Sequence, residues 1–175
     1  MSDESTFDER GWAEGPVRPL PRSEAYSLLC TDASARFDHT SLAAAATAIL
    51  GAKLHIEPKK HFARGAVPRA DRAVLCLQYG AMDARVVAIL FPAERAPDLV
   101  ERARIVGAAG METFAPRARA IVQLAVAADP RAALACATVL AHALRAAVLP
   151  PREDTLFGIK GARERLEAAM AANGP

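Results

Sequence analysis

The sequence predicts an α+β fold: a ferredoxin-like βαββαβ antiparallel sheet with additional C-terminal helices. Three observations support this prediction. Short apolar segments alternate with helical patterns in the order strand, helix, strand, strand, helix, strand, and two more helices follow. The two middle strands are joined by the tight turn "GAMD", which favours a hairpin and therefore antiparallel pairing. The chain has 175 residues, 52% of them hydrophobic, which is enough for one domain with a sizeable core.

The first half of the chain contains segments with clear ends. Asp38 or Thr40 can cap the first helix, and Gly51 suits the left-handed residue that follows it. Pro58 ends a short edge strand, because proline cannot donate a hydrogen bond to a sheet. The elements expected here are a strand at 24–30, a helix at 38–51, an edge strand at 53–57, and hairpin strands at 72–80 and 84–92.

The second half is dominated by helical patterns. Pro97 fits the first turn of one helix and Gly110 its end. Asp129 caps the clearest helix of the chain, and Pro150 and Pro151 stop it. The elements expected here are a helix at 96–110, a strand at 117–128, a helix at 129–151 and an amphipathic helix at 161–174.

Both faces of the predicted sheet are apolar. In residues 84–91, Val87, Ile89 and Phe91 lie on one face, and the residues between them are equally apolar. A sheet with helices on one side only should alternate with polar residues. We therefore expect the helix at 129–149 to cover the second face, because a helix that is apolar all round is buried. A second copy of the chain in a homodimer is the alternative cover.

Composition sets the domain boundaries and the compartment. Residues 1–23 are acidic and then proline-rich, which predicts a flexible tail; residues 24–151 form the α+β domain, and residues 152–175 a C-terminal extension with an amphipathic helix. The N-terminus has no apolar segment typical of a signal peptide, and the longest apolar segment, residues 132–149, is interrupted by charged and polar residues. These features predict a cytoplasmic protein without a membrane partner.

The chain resembles an uncharacterised bacterial domain-of-unknown-function family. The likeness lies in the strand-turn-strand "AVLCLQYGAMDARVVAILFPAE", the helix after it, and "FAPRARAIVQLAVAADPRAALACATVLAHAL", and it covers roughly residues 25–148. Arg117 stands where the resemblance leads us to expect a histidine before the last strand. The resemblance implies a ferredoxin-like α+β layout and brings no activity with it.

The segment "KLHIEPKKHFARG" at 53–65 is the richest in reactive side chains. His55-x-Glu57 is the first half of the zinc deaminase signature, but the chain lacks the P-C-x-x-C half that supplies two thiolates. His55 and His61 share no helical face, and no acidic cluster completes a set of metal ligands. We therefore predict no metal site and no cofactor, and Cys76 and Cys136 are interpreted as small buried hydrophobic residues.

The same region is strongly basic. Residues 53–72 contain six basic and two acidic side chains, a net charge of +4, in a chain whose total is only +2. A basic loop can bind the phosphates of a nucleic acid or nucleotide, whereas the simpler interpretation is a solvated loop that protects an edge strand. The binding candidates in this loop are Lys59, Lys60, His61, Arg64 and Arg69.

A third pattern, Cys30 and Arg36 in C-x5-R, has the spacing of cysteine phosphatases. That chemistry needs a thiolate in a cradle of backbone amides with an arginine on the phosphate. The segment contains no glycine, carries Asp32, and has Leu29 where many such enzymes have histidine. Cys30 and Arg36 stay as candidates for a phosphatase-like or ester-hydrolase activity.

The function predicted from these patterns is that of a non-catalytic, cytoplasmic bacterial protein that binds another protein. Such a protein could be an adaptor, an immunity-type protein or a subunit of a larger assembly. Trp12, in the proline-rich tail, is a candidate anchor for a protein partner, since tryptophan is enriched at binding hot spots. A homo-oligomer is the alternative partner. Nucleic-acid binding through the basic loop is the alternative function, and the question whether the chain is an enzyme stays open.

Overall fold

A computed structural model describes residues 17–32, 37–57, 71–107, 110–126 and 129–172. Six strands and five helices occur in this part of the chain. The strands are β1 (Ala25–Cys30), β2 (Lys53–Glu57), β3 (Asp71–Tyr79), β4 (Met82–Pro92), β5 (Ala120–Ala125) and β6 (Ala147–Leu149). The helices are α1 (His39–Leu50), α2 (Pro97–Val106), α3 (Met111–Phe114), α4 (Pro130–Ala143) and α5 (Ile159–Ala171).

The six strands form one sheet in the order β2-β3-β4-β5-β1-β6, and every neighbouring pair is antiparallel. Helices α1 and α4 each connect two strands that run in the same direction but are separated by other strands. The predicted α+β class is confirmed. The finer ferredoxin-like assignment stays a prediction, because the described sheet has six strands rather than the four of a single βαββαβ unit.

Local signals explain several element ends. The Asp38 carboxylate accepts a hydrogen bond from the Ser41 amide at 2.9 Å and so caps α1. Gly51 ends that helix with φ of 62°, a left-handed conformation that glycine adopts without strain. The Asp129 carboxylate accepts from the Arg131 amide at 2.9 Å, and Pro130 follows it at the first position of α4. These caps agree with the sequence-based expectation.

One face of the sheet packs against α1, α4 and α5 and forms the larger core. Helix α4 lies in the middle of this layer, with α1 and α5 beside it. All ten residues from Ala132 to Ala141 are buried. The prediction that α4 is an interior helix is therefore confirmed. Among the described residues, no helix is both long and apolar enough to cross a membrane.

The opposite face of the sheet is covered by different elements from those predicted. Its core combines Phe91 and Ile121 of the sheet with α2, and partly buried side chains from α3 and from Val17 and Leu20 pack against it. The expectation that α4 covers this second face was wrong, because α4 joins α1 on the first face and α2 crosses to the second. Periodicity shows that a helix is apolar but not which side of a sheet its connections place it on.

The segment at 17–23, part of the predicted tail, lies against this second face. Gln123, buried in β5, accepts a hydrogen bond from the Leu20 amide at 2.7 Å and donates to the Leu20 carbonyl at 3.0 Å. Arg22 donates to the Asp154 carboxylate at 2.9 Å, and Arg102 of α2 pairs with the same carboxylate. A polar side chain in an apolar strand thus binds the backbone of an extended segment.

Two predicted helices end earlier than the sequence indicated. The helix predicted at 129–151 stops at Ala143, and Ala147–Leu149 form β6, which pairs with β1. Arg145 turns the chain there with φ of 50°. The helix predicted at 96–110 stops at Val106, and Gly110 precedes α3. The alanine-rich sequence after Ala143 has as much helical propensity as α4 itself, so it does not show where α4 ends. The end is set by the pairing of β6 with β1.

Candidate functional site

The second face of the sheet is apolar only in part. Its core contains residues of β1, β4, β5 and β6 but none of β2 or β3. On β2, β3 and the start of β4, most side chains on this face are polar and at least partly exposed, whereas Val74 is apolar and partly buried and Cys76 is buried. We call this part the open face, and its polar residues are Lys53, His55, Glu57, Arg72, Gln78, Asp83 and Arg85.

Strand register brings four reactive side chains together on the open face. His55 lies opposite Cys76, and Cys76 lies opposite Arg85 on the next strand. Glu57 follows His55 by two residues and therefore points to the same face. One ligand-type atom each from His55, Glu57 and Cys76 lies within 4.8 Å of the other two.

Ionic contacts organise this cluster. Arg85 Nη2 donates to Glu57 Oε2 at 2.7 Å, and His55 Nε2 lies 3.4 Å from Glu57 Oε1. The hydrogen bond from Arg85 lowers the pKa of the Glu57 carboxyl below its ordinary value, with smaller contributions from hydrogen bonds to His55 and Cys76. Burial, followed by the nearby Glu57 charge, raises the pKa of the Cys76 thiol. At neutral pH Glu57 is therefore a carboxylate and Cys76 a protonated thiol.

The exposure of the cluster differs from one member to the next. The side chains of His55 and Glu57 are about half exposed, whereas Cys76 is only 8% exposed. The Cys76 thiol is therefore the buried part of the cluster, and the His55 imidazole and Glu57 carboxylate are its solvent-exposed part. Chemically, the arrangement offers a nitrogen, an oxygen and a sulfur donor that converge on one point beside a positive charge.

The sequence had identified only half of this cluster. His55 and Glu57 were considered as an incomplete zinc motif, whereas Cys76 was interpreted as a hydrophobic residue and Arg85 was not considered. Alternation along β2 could have placed His55 and Glu57 on one face. Pairing them with Cys76 requires the β2–β3 register, which the 13-residue connection between the strands does not determine.

Most other candidates lie outside the described residues. This applies to Trp12, Arg36, Lys59, Lys60, His61, Arg64 and Arg69. Of the basic residues in 53–72, Lys53 and Arg72 lie in the described part, at the first position of β2 and the second position of β3. The phosphate-binding hypothesis for this loop therefore stays a prediction.

Cys30 lies in an environment opposite to that of a thiolate nucleophile. It is buried at the end of β1, and burial raises the pKa of its thiol to about 12. Thiolate chemistry requires the pKa to be lowered, by cationic neighbours or a helix N-terminus. Arg36, the second residue of this candidate pair, lies outside the described residues.

Cys30 and Cys136 are expected to resist iodoacetamide in the folded protein at neutral pH. Both thiols are buried, burial raises the pKa of each to about 12, and only the thiolate reacts. Mass spectrometry of peptides alkylated before and after unfolding in urea measures this. Full labelling after unfolding is the control. Rapid labelling of Cys30 in the folded state would instead restore the nucleophile hypothesis.

Comparison with known proteins adds no relative to this description. No protein-family model matches the chain, and neither a curated protein nor a solved structure matches it.

Proposed function

We propose that this protein is a non-catalytic, cytoplasmic bacterial binding module, and that a protein partner docks on its open face. The proposal rests on one observation: in the described part of the chain, the second sheet face is covered by other elements on one half and left uncovered on the other. One half is covered by α2, α3 and the segment at 17–20, whereas β2 and β3 contribute nothing to that core. The exposed side chains on this part of the face, among them Lys53, Gln78 and Asp83, are accessible to a partner.

The charges of the open face favour a protein as the partner. Lys53, Arg72 and Arg85 are basic, and Glu57 and Asp83 are acidic. A nucleic acid presents negative charge only, and its binding surfaces are correspondingly basic. A surface that carries both signs is complementary to a protein that offers acidic groups to Lys53 and basic groups to Asp83.

Buried thiols also argue for binding rather than thiolate catalysis. The pKa of Cys30, Cys76 and Cys136 is raised in each case, with burial as the largest cause. Each thiol is therefore protonated at neutral pH. The cysteine-dependent hydrolase remains the weaker alternative, and the alkylation experiment addresses it.

The partner can be identified by affinity capture from the native host with and without nuclease, followed by titration of the purified partner. Exchanging two charges, Lys53→Glu with Asp83→Lys, is expected to weaken the Kd at least about tenfold, which corresponds to 1.4 kcal/mol. The exchange preserves net charge. Lys53 and Asp83 are both paired with Gln78, on neighbouring strands, so the two changed positions are close together. Isothermal titration calorimetry measures the change.

A matched control exists on the other side of the molecule. Lys160 and Glu164 form an exposed ion pair on α5, and the exchange Lys160→Glu with Glu164→Lys should change the Kd less than about twofold. Partners that disappear after nuclease treatment would move the function to nucleic-acid binding by the basic loop. Recovery of a second copy of the chain alone would indicate a homo-oligomer, and equal effects of the two exchanges would exclude the open face.

A further inference from the structure

We propose that His55, Glu57 and Cys76 bind one divalent transition-metal ion, and that zinc is the ion their donors fit best. The inference goes beyond the docking of a protein partner and does not depend on it. It begins from the strand register, which places two ligands two residues apart on β2 and the third directly across on β3. A hairpin-like pair of strands holds such ligands more firmly than a loop does.

The three donors belong to the types that zinc prefers. Zinc in proteins is bound by cysteine sulfur, histidine nitrogen and carboxylate oxygen, in tetrahedral geometry. A thiolate together with an imidazole selects zinc over magnesium or calcium, which take oxygen ligands. Because the strands supply three ligands, a fourth position is left for water or for a group on a bound molecule.

Separations within the cluster are close to those of a tetrahedral site. Two ligands bonded at 2.0–2.1 Å to a tetrahedral ion lie about 3.3 Å apart. His55 Nε2 and Glu57 Oε1 are 3.4 Å apart already. The largest separation in the set of three donors is below 4.8 Å, so the ion requires rotamer adjustments rather than movement of a strand.

Arg85 supports the site from outside the ligand set. Its guanidinium donates to Oε2 of Glu57 and leaves Oε1, the oxygen nearer to His55, available to the ion. Ligating carboxylates commonly carry an outer hydrogen bond of this kind, which fixes their orientation. The ion, the Glu57 carboxylate, the Cys76 thiolate and the Arg85 guanidinium together carry one positive charge. The two anionic ligands balance the two positive charges of the ion, so the Arg85 guanidinium accounts for the remaining positive charge.

Binding exchanges a proton for the ion. In the metal-free protein the Cys76 thiol keeps its proton; when the ion binds, the sulfur–hydrogen bond breaks, a metal–sulfur bond forms with the same electron pair, and the proton passes to solvent. No electron is transferred and no oxidant is needed. This displacement is the ordinary route by which cysteine ligates zinc.

The test is a titration of the purified, full-length, metal-free protein with Co²⁺ as a spectroscopic probe for zinc. We expect one Co²⁺ per chain and a thiolate-to-cobalt charge-transfer band in the near ultraviolet. Cys76→Ala should abolish the band. His55→Ala and Glu57→Gln should each weaken Co²⁺ binding at least about 100-fold, because even the loss of an outer partner costs 10–100-fold. Zn²⁺ should displace the probe stoichiometrically.

The controls are a thiol and an imidazole outside the cluster. Cys136→Ala, in the buried helix α4, should keep the band, and His142→Ala, at the exposed end of the same helix, should keep the affinity. If Cys76→Ala fails to fold, the variants of His55 and Glu57 decide, since both side chains are about half exposed. The metal site would be disproved by any of three results: no charge-transfer band, a band that persists in Cys76→Ala, or unchanged Co²⁺ affinity in His55→Ala. If Zn²⁺ fails to displace Co²⁺, zinc is not the preferred ion.

Discussion

Replacement of Phe91 by alanine is expected to lower the free energy of unfolding by about 3–5 kcal/mol. The ring is fully buried in the second core, between β4 and the elements that cover it. Its removal forfeits the transfer free energy of an aromatic side chain and leaves a cavity. Urea denaturation followed by circular dichroism measures the loss, and a parallel shift of the curve without a change in slope shows that stability alone has changed.

The size of this loss tests how the second face is covered. In a ferredoxin-like unit with one open face, Phe91 would lie on the solvated side, and its truncation would cost within about 0.5 kcal/mol. Phe114→Ala, at a half-buried ring in the same core, provides the matched control and should cost less than Phe91→Ala. Equal and small losses for the two variants would contradict the covered face described above.

The elements that the sequence predicted correctly are those specified by neighbouring residues. Asp38 and Gly51 bound α1, and the alternation within residues 84–91 divides β4 between two cores. Capping and alternation act over a few residues, so they can be read directly from the chain. The hairpin of β3 and β4 was also predicted, but its turn is the two residues Gly80 and Ala81, with φ of 58° at Gly80, rather than the four residues "GAMD".

The elements predicted wrongly depend on distant partners. Residues 147–149 form a strand only because the β1 edge is available to them, 120 residues earlier in the chain. Their alanine, valine and leucine are compatible with the preceding helix, so composition favours the wrong state. The side of the sheet on which α4 packs likewise depends on the full strand order, which no local signal contains.

The candidate site was predictable only in the half that lies on one strand. His55 and Glu57 share a face by alternation and match half of a zinc motif, but the sequence alone predicted no metal site there. Cys76 joins them through a register that fixes every pair from Lys53 with Gln78 to Glu57 with Val74. If the β2–β3 register shifted by one residue, Cys76 would lie on the opposite face of the sheet from His55 and Glu57, and the three side chains would no longer be close together. Sites assembled across strands are therefore found from structure rather than from motifs.

Leu140→Ala is expected to lower the free energy of unfolding by about 2–5 kcal/mol, although α4 already contains many alanines. Leu140 is fully buried on that helix, whose ten consecutive buried residues include five alanines. Alanine favours the helical backbone but fills little volume, so the few large side chains of α4 carry most of its packing. Alanine neighbours have no further atoms with which to fill the space that a lost leucine leaves.

The measurement is the midpoint of urea unfolding for Leu140→Ala beside Ile105→Ala. Ile105, on α2, is 59% exposed, so its truncation should change the free energy of unfolding by no more than about 0.5 kcal/mol. Both changes shorten an aliphatic side chain on a helix and introduce the best helix former, so the difference between them isolates burial from helical propensity. A large loss of stability for Leu140→Ala alone would show that the packing of α4 depends on its few large side chains. Similar small losses for both variants would show that the close packing of the alanines is enough to hold α4 in place.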